Sequence, residues 1–274
     1  MITRIWAQLK ERYANRLSIE TDSPVTQITY DSSDSTHPYI VVTPRGTVRA
    51  SKILHATNGH CGHLLPGLRG KIWPLRGTMS TQKPPEAFGQ YGRDVTWSRV
   101  GGGGFNENTN VIDLGLYYAS QNPITGDIFI GGEKAKVDEL FTSDDTVVGA
   151  PCEDNITNKL PQCFVKGWED NSTHQVRKVW SGIMGFTGDH LPLVGSLPQS
   201  VTDRGKEGGE WIAAGFNGYG MPLCWSSGEA VVKMILGQQV GDFLPDSFLV
   251  TAERLQSKEM SLKDSISALF GGYV

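Results

Sequence analysis

The chain has 274 residues, room for one large domain or two smaller ones sharing a core. Its make-up, 38% hydrophobic and 20% charged, is ordinary for a globular protein. With 25 Lys and Arg against 29 Asp and Glu, the net charge of −4 offers no basic surface to nucleic acid or to an anionic membrane.

The elements follow in chain order. Ile2, Ile5, Trp6, Leu9 and Tyr13 recur at helical spacing between Arg4, Lys10, Arg12 and Arg16. They predict an amphipathic helix over 1–16 whose apolar stripe needs a partner surface. Alternation predicts strands at 17–20 and 25–30, and a hairpin from 40–43 through Pro44-Arg45-Gly46 into a strand at 48–56. A short helical piece runs from His60 to Leu65 and stops at Pro66-Gly67. Between Trp73 and Glu133, short alternating runs at 78–81, 95–98, 114–119 and 127–131 predict a mostly antiparallel sheet.

Ile156, Leu160, Phe164 and Trp168 fall four apart and predict a helix over 151–170, weakened at Pro161. A strand is expected at 174–184, a Gly- and Pro-rich loop over 185–210 and a buried strand at 211–214. A helix over 221–236 closes at Gly237, and a polar surface helix spans 252–269.

Cys61, Cys152, Cys163 and Cys224 have no metal-like spacing and read as free thiols in a reducing compartment. No metal site is expected. No leader is expected, since residues 1–16 read as a helix of the fold; no apolar run reaches membrane length, and Gly271 to Val274 does not match a peroxisomal signal. The expected place is therefore the cytoplasm. The glycosylation patterns at Asn155 and Asn171 matter only in a secreted protein.

Four segments carry candidate chemistry. At 211–222, WIAAGFNGYGMP, a buried strand enters a Gly-rich turn that opens a helix. Such a start presents free backbone N–H groups and a positive dipole end, suited to an anion or a polarised carbonyl. On spacing alone, a plain strand-to-helix turn is the simpler reading. At 180–195, Asp189 and His190 are either an acid–base pair or, on the simpler reading, an Asp that satisfies turn N–H groups. At 53–59 a strand ends in small residues, where α/β folds place ligands, although on its own an ordinary strand end is the simpler reading. In PLRGTM, Arg76 could hold a carboxylate or merely pair with an acid.

Together, HATNGHCGHLLPGLRGKIWPLRGTM, IFIGGE at 128–133, VWSGIMGFTGDHLPLVGSLP and GEWIAAGFNGYGMPLCWSSGEAVVKMILG resemble the D-amino-acid-oxidase-like flavoproteins, from Met1 to about Gly237. The resemblance implies an α/β (α+β) fold, a truncated FAD-binding domain interleaved with a mostly antiparallel substrate sheet. Residues 1–72 and 174–240 would be the FAD-domain part, 73–173 the substrate sheet and 241–274 a tail. It implies FAD as cofactor and hydride transfer from a carbon bearing nitrogen, in an amine or amino acid, to the flavin ring. Val25 would lie on the adenine-contacting strand. Ala56, Thr57, Asn58 and Gly59 would pass close to the dinucleotide. Gly215, Asn217, Gly218, Tyr219, Gly220 and Met221 would pack against the flavin ring, and Arg76 would meet the substrate. No catalytic residue is assigned.

One departure stands out: the βαβ unit with GxGxxG and its ribose-binding acid is not in this sequence. The only upstream Gly cluster, Gly101 to Gly104, reads as a flexible loop. Three readings stay open. A partner chain supplies the fingerprint to a split flavoenzyme, or this is a flavin-free relative that binds a small molecule or performs non-redox catalysis in the old substrate cavity. The third is a degenerate product with no stable fold. The apolar stripe of the first helix favours the first.

Overall fold

The computed structural model describes residues 2–168, 175–205 and 207–262. They fall into two compact units divided after Ile53. In the first unit, helix α1 spans Ile2–Arg12 and buries none of its residues; Ile2 and Trp6 stay exposed. Residues 17–20, expected as a strand, are irregular, and Ser18 bonds instead to the Glu20 side chain. Strands β1 (Gln27–Tyr30), β2 (Tyr39–Thr43) and β3 (Gly46–Ala50) form an antiparallel sheet in sequence order. Gly46 takes φ 135° as the hairpin returns. Asp31 and Asp34 cap the β1–β2 turn through local N–H groups, and Arg49 clamps both. These bonds, led by the N–H of His37, lower the Asp34 carboxyl to about 2.

The strand expected over 48–56 is two strands. β3 ends at Ala50, and β4 (Ile53–His55) belongs to a different sheet. The second unit continues through a short 3-10 helix at Asn58–His63 into the antiparallel sheet foreseen in the middle of the chain. Its strands are β5 (Ile72–Lys83), β6 (Thr96–Val100), β7 (Gly104–Asn106), β8 (Val111–Gln121), β9 (Ile128–Lys136) and β10 (Gln175–Thr187). Their order is β10-β5-β9-β8-β6, with β7 also on β8. Gly104 thus starts a strand, so only part of the 101–104 run is loop.

Helix α2 (Val137–Leu140) follows β9, and the helix expected over 151–170 is broken in two. Helix α3 (Ala150–Thr157) ends before Pro161, which sits in the first turn of α4 (Leu160–Cys163), where a missing N–H costs nothing. Phe164 and Trp168 lie beyond α4. They pack on Phe88 with ring centroids 5.1 and 4.7 Å away. Their four-residue spacing reported burial in an aromatic cluster, not one continuous helix. Asn155, in a glycosylation pattern, is buried and bonds to the Tyr117 hydroxyl; His174 and Asn171 lie outside the described residues.

The region expected as loop over 185–210 holds the end of β10, strand β11 (Leu193–Ser196) and helix α5 (Gln199–Thr202). β12 (Glu210–Ala214) pairs with β11 and completes the three-stranded sheet β11-β12-β4. Side chains alternate across it. Leu193, Ile212 and Ala214 join the cluster of Leu65, Leu68 and Ile72, while Val194 and Trp211 pack with Ala230 and Val231 of helix α6 (Gly220–Ile235). Gly237 ends α6 at φ 69°. The tail is a short helix, α7 (Ala252–Gln256), and a 3-10 turn. Leu255 and Met260 are buried in the core rather than displayed, so the expected long surface helix does not form over the described residues.

Under the sheet, Glu210 is held between His55 Nε2 at 2.8 Å and Arg204 Nε at 2.8 Å, with both Glu210 and His55 side chains 2% exposed. Glu210→Ala leaves the arginine charge partly buried without its partner. The expected loss is about 3–5 kcal/mol in denaturant unfolding; a loss within experimental error would contradict this arrangement.

Candidate functional site

The site is built on the β12–α6 turn, Gly215 to Tyr219. Gly215, Asn217 and Gly218 all take positive φ, at 74°, 52° and 82°. Two asparagine side chains hold this path. Asn58 Oδ1 accepts the N–H of Gly215 at 2.9 Å and of Phe216 at 3.4 Å. Asn217 Oδ1 accepts the N–H of Thr187 at 2.9 Å, and its Nδ2 donates to Gly215 O at 2.6 Å. The Asn217 N–H donates to Gly185 O at 2.8 Å. Buried backbone groups that no strand satisfies are thus paired by side chains. Gly59 and Gly185 let the segments meet: a Cβ on Gly59 would lie 2.7 Å from Met184 O, and one on Gly185 2.6 Å from the Gly59 nitrogen.

Beside this turn opens a cavity of about 740 Å³. One wall is the turn itself, Asn217, Gly218 and Tyr219; another is Met184 and Phe186 of β10. The sheet supplies Leu75, Ser98, Leu114, Leu116, Tyr118 and Glu133, and His190, after β10, also lines it. No side chain caps the start of α6, so its first N–H groups remain without a side-chain acceptor beside the cavity. Gly218 is open on this side: a Cβ there would meet only Met184 Sδ, at 3.9 Å.

Glu133 is the chemically distinctive wall. It is 7% exposed, and both carboxyl oxygens share one donor, the Thr78 N–H, at 3.2 Å each. Burial pushes its carboxyl up to about 8 against the opposing pull of that N–H and of Arg76. Burial, and then the nearby Glu133, push the Tyr118 hydroxyl up to about 12. The preceding Gly131 and Gly132 explain the geometry. A Cβ on Gly131 would strike Met79 and the Tyr118 ring, and one on Gly132 would strike Tyr117. The two glycines let the tyrosines of β8 lie across β9, and Glu133 follows at the cavity.

Asn58, Gly59, Gly215, Asn217, Gly218, Tyr219 and Gly220 therefore come together around one turn. Met221 is 98% exposed on the first turn of α6, and Ala56 and Thr57 are exposed after β4. Val25 precedes β1 in the first unit. Arg76 is buried on β5, 3.6 Å from Glu139, and does not line the cavity. Asp189 accepts the Leu191 N–H and pairs with Arg254 at 2.7 Å, a turn-holding role. Glu133 and Tyr118 were not singled out from sequence; the signal was an acid ending the apolar run IFIGGE. Among the described residues, no three His, Cys, Asp or Glu converge as a metal site, and no helix is long and apolar enough to cross a membrane.

The raised carboxyl has a stability consequence. Folded, Glu133 keeps its proton up to about 8; unfolded, only up to its ordinary 4.5. The fold binds the extra proton between these values, so stability is fullest below about 4.5 and falls as pH rises toward 8. Glu133→Gln, which cannot ionise, is expected to lose this dependence. Its unfolding free energy, relative to wild type, should gain on the order of 3–5 kcal/mol across that window. Parallel pH profiles for the two proteins would contradict the assignment.

No curated protein sequence matches the chain. Its fold is similar to glycine oxidase from Geobacillus kaustophilus (TM-score 0.58, 20% identity), covering 84% of this chain and 52% of that one. It is also similar to L-amino acid deaminase from Proteus vulgaris (TM-score 0.61, 13% identity, 90% and 61% covered). Iminodiacetate oxidase from Chelativorans sp. BNC1 gives 0.59 at 14% identity, with 90% and 57% covered. The chain spans between half and two thirds of the length of these structures. The profile of the DAO family, described as FAD dependent oxidoreductase, matches residues 6–234. With that match across most of its length, the chain belongs to the DAO family of FAD-dependent oxidoreductases.

Proposed function

We propose that this chain carries the flavin-ring and substrate walls of an FAD-dependent oxidoreductase acting on the carbon–nitrogen bond of an amine or amino acid. The observation that carries the reading is the cavity itself. It joins an open glycine and an uncapped helix start on one side to a buried acid on the other. The residues present fit a planar ring: Gly218 leaves the space beside the turn open, with only Met184 Sδ 3.9 Å from where a Cβ would stand, and the α6 start offers N–H groups and a positive dipole end to ring carbonyls. When bound, FAD supplies the two-electron acceptor for that oxidation. The chain's own part is to hold the ring at Gly218 and α6, to orient the substrate against β8 and β9, and to keep water out with Leu75, Leu114, Leu116 and Phe186.

The diphosphate and ribose of the cofactor need a cradle, which a βαβ unit outside this sequence would supply, from a partner chain or a longer parent. Met221, Trp225, Val232 and Leu236 support this. They are exposed, apolar and spaced along one stripe of α6. The alternative, a flavin-free binding protein using the same cavity, draws support from the fact that this chain alone builds its walls.

Fluorescence titration separates the two. With only the ring end of the site present, riboflavin and FAD should bind this chain within about threefold of each other. Gly218→Val, at φ 82° where a β-branched residue also strains the turn, should weaken both by about tenfold or more in a variant whose thermal unfolding shows that it still folds. No binding of either flavin, or flavin binding indifferent to the valine, would overturn the cofactor reading.

A further inference from the structure

Resting on that reading, we infer that the cavity is made for an amine without a carboxylate, its nitrogen held by Glu133. The ionisable groups around the cavity decide this. Glu133 is buried, faces the cavity, and has one backbone N–H shared between two oxygens. A carboxyl group offers about four lone-pair sites, so most of its capacity is unused. No ion-pair partner lies within 4 Å of it among the described residues. An amine N–H is the donor this wall lacks.

The same wall disfavours an α-carboxylate. No Lys or Arg lines the cavity, whose surface is chiefly Leu75, Leu114, Leu116, Met184 and Phe186. A carboxylate there would find no Lys or Arg to pair with, only His190 and neutral donors among the lining residues, and would lie beside the Glu133 carboxyl. Arg76, the nearest guanidinium by its effect on Glu133, is turned to Glu139 and buried. An apolar amine meets no such cost: its carbon portion lies against the leucines and its nitrogen at Glu133.

Arg76 from β5, Tyr118 from β8 and Cys152 from α3 interact with Glu133, and His190 shares the cavity lining with it. Below about 8 the carboxyl holds its proton. An ammonium entering then forms the carboxylate–ammonium pair and releases the carboxyl proton to solvent; no other bond changes. Affinity for the ammonium form therefore rises about tenfold per pH unit up to that value. A neutral amine entering takes the same proton from Glu133 with no release.

The test is calorimetry on the purified chain with benzylamine and with phenylglycine, the same skeleton bearing a carboxylate, the flavin content of each sample being recorded. Benzylamine is expected to bind about tenfold or more tighter than phenylglycine. In two buffers of different ionisation enthalpy, wild type below about 8 should release close to one proton per amine bound. Glu133→Gln should lower benzylamine affinity about tenfold and abolish the release. The wild-type proton count needs no variant, so a Gln variant that fails to fold leaves the test intact. Equal or tighter binding of phenylglycine, no binding of either, or amine binding without proton release would overturn the inference. Amine binding by a chain that takes up no flavin would sink the cofactor reading and leave this one standing.

Discussion

Two asparagine side chains do the work that backbone pairing does elsewhere. Asn58, in the segment after β4, and Asn217 bind N–H and C=O groups of the β12–α6 turn and the end of β10. Each sits at positive φ itself, a conformation asparagine tolerates better than most residues. Where these segments cross, Gly59 and Gly185 give up their side chains so that the backbones can touch. The cavity depends on this crossing, because it fixes Gly218 and the start of α6 opposite the face of the large sheet.

The sheet contributes the other half of the chemistry by a related device. Gly131 and Gly132 clear room for two tyrosine rings, and the following residue on β9 is an acid with almost no solvent. A carboxyl in that setting keeps its proton near neutrality, and so it can either donate to or accept from a nitrogen. Its cost is a fold that weakens as pH rises. Carboxyls shifted this far by burial cluster at functional sites.

Much of the fold was legible in the sequence because it depends on local pattern. Alternation marked β1, β8 and β9, a short apolar run marked β12, and the Gly237 stop marked the end of α6. The turn at Gly215 to Gly220 was legible because its glycines are spaced for backbone exposure. Errors arose where tertiary contact overrides pattern. Phe164 and Trp168 kept a helical spacing while packing as loop residues. Leu255 and Met260, in a polar stretch, are anchored in the core by the 58–72 segment. Residues 48–56 read as one strand because nothing local shows that the chain changes sheets at Ser51. Glu133 was missed for a physical reason: a single acid after an apolar strand gives no clue to whether it faces water or a cavity. Only the register of β8 on β9 decides that.

The chain belongs to the DAO family and spans little more than half of its solved relatives, and the proposal is that it holds the ring and substrate end of a flavoenzyme site. The most direct measurement is anaerobic: benzylamine is added to the flavin-loaded protein and the visible flavin band is followed. The account predicts that the band bleaches, and that it returns when an electron acceptor is admitted. An unchanged band, with flavin and amine both shown to be bound, would contradict it.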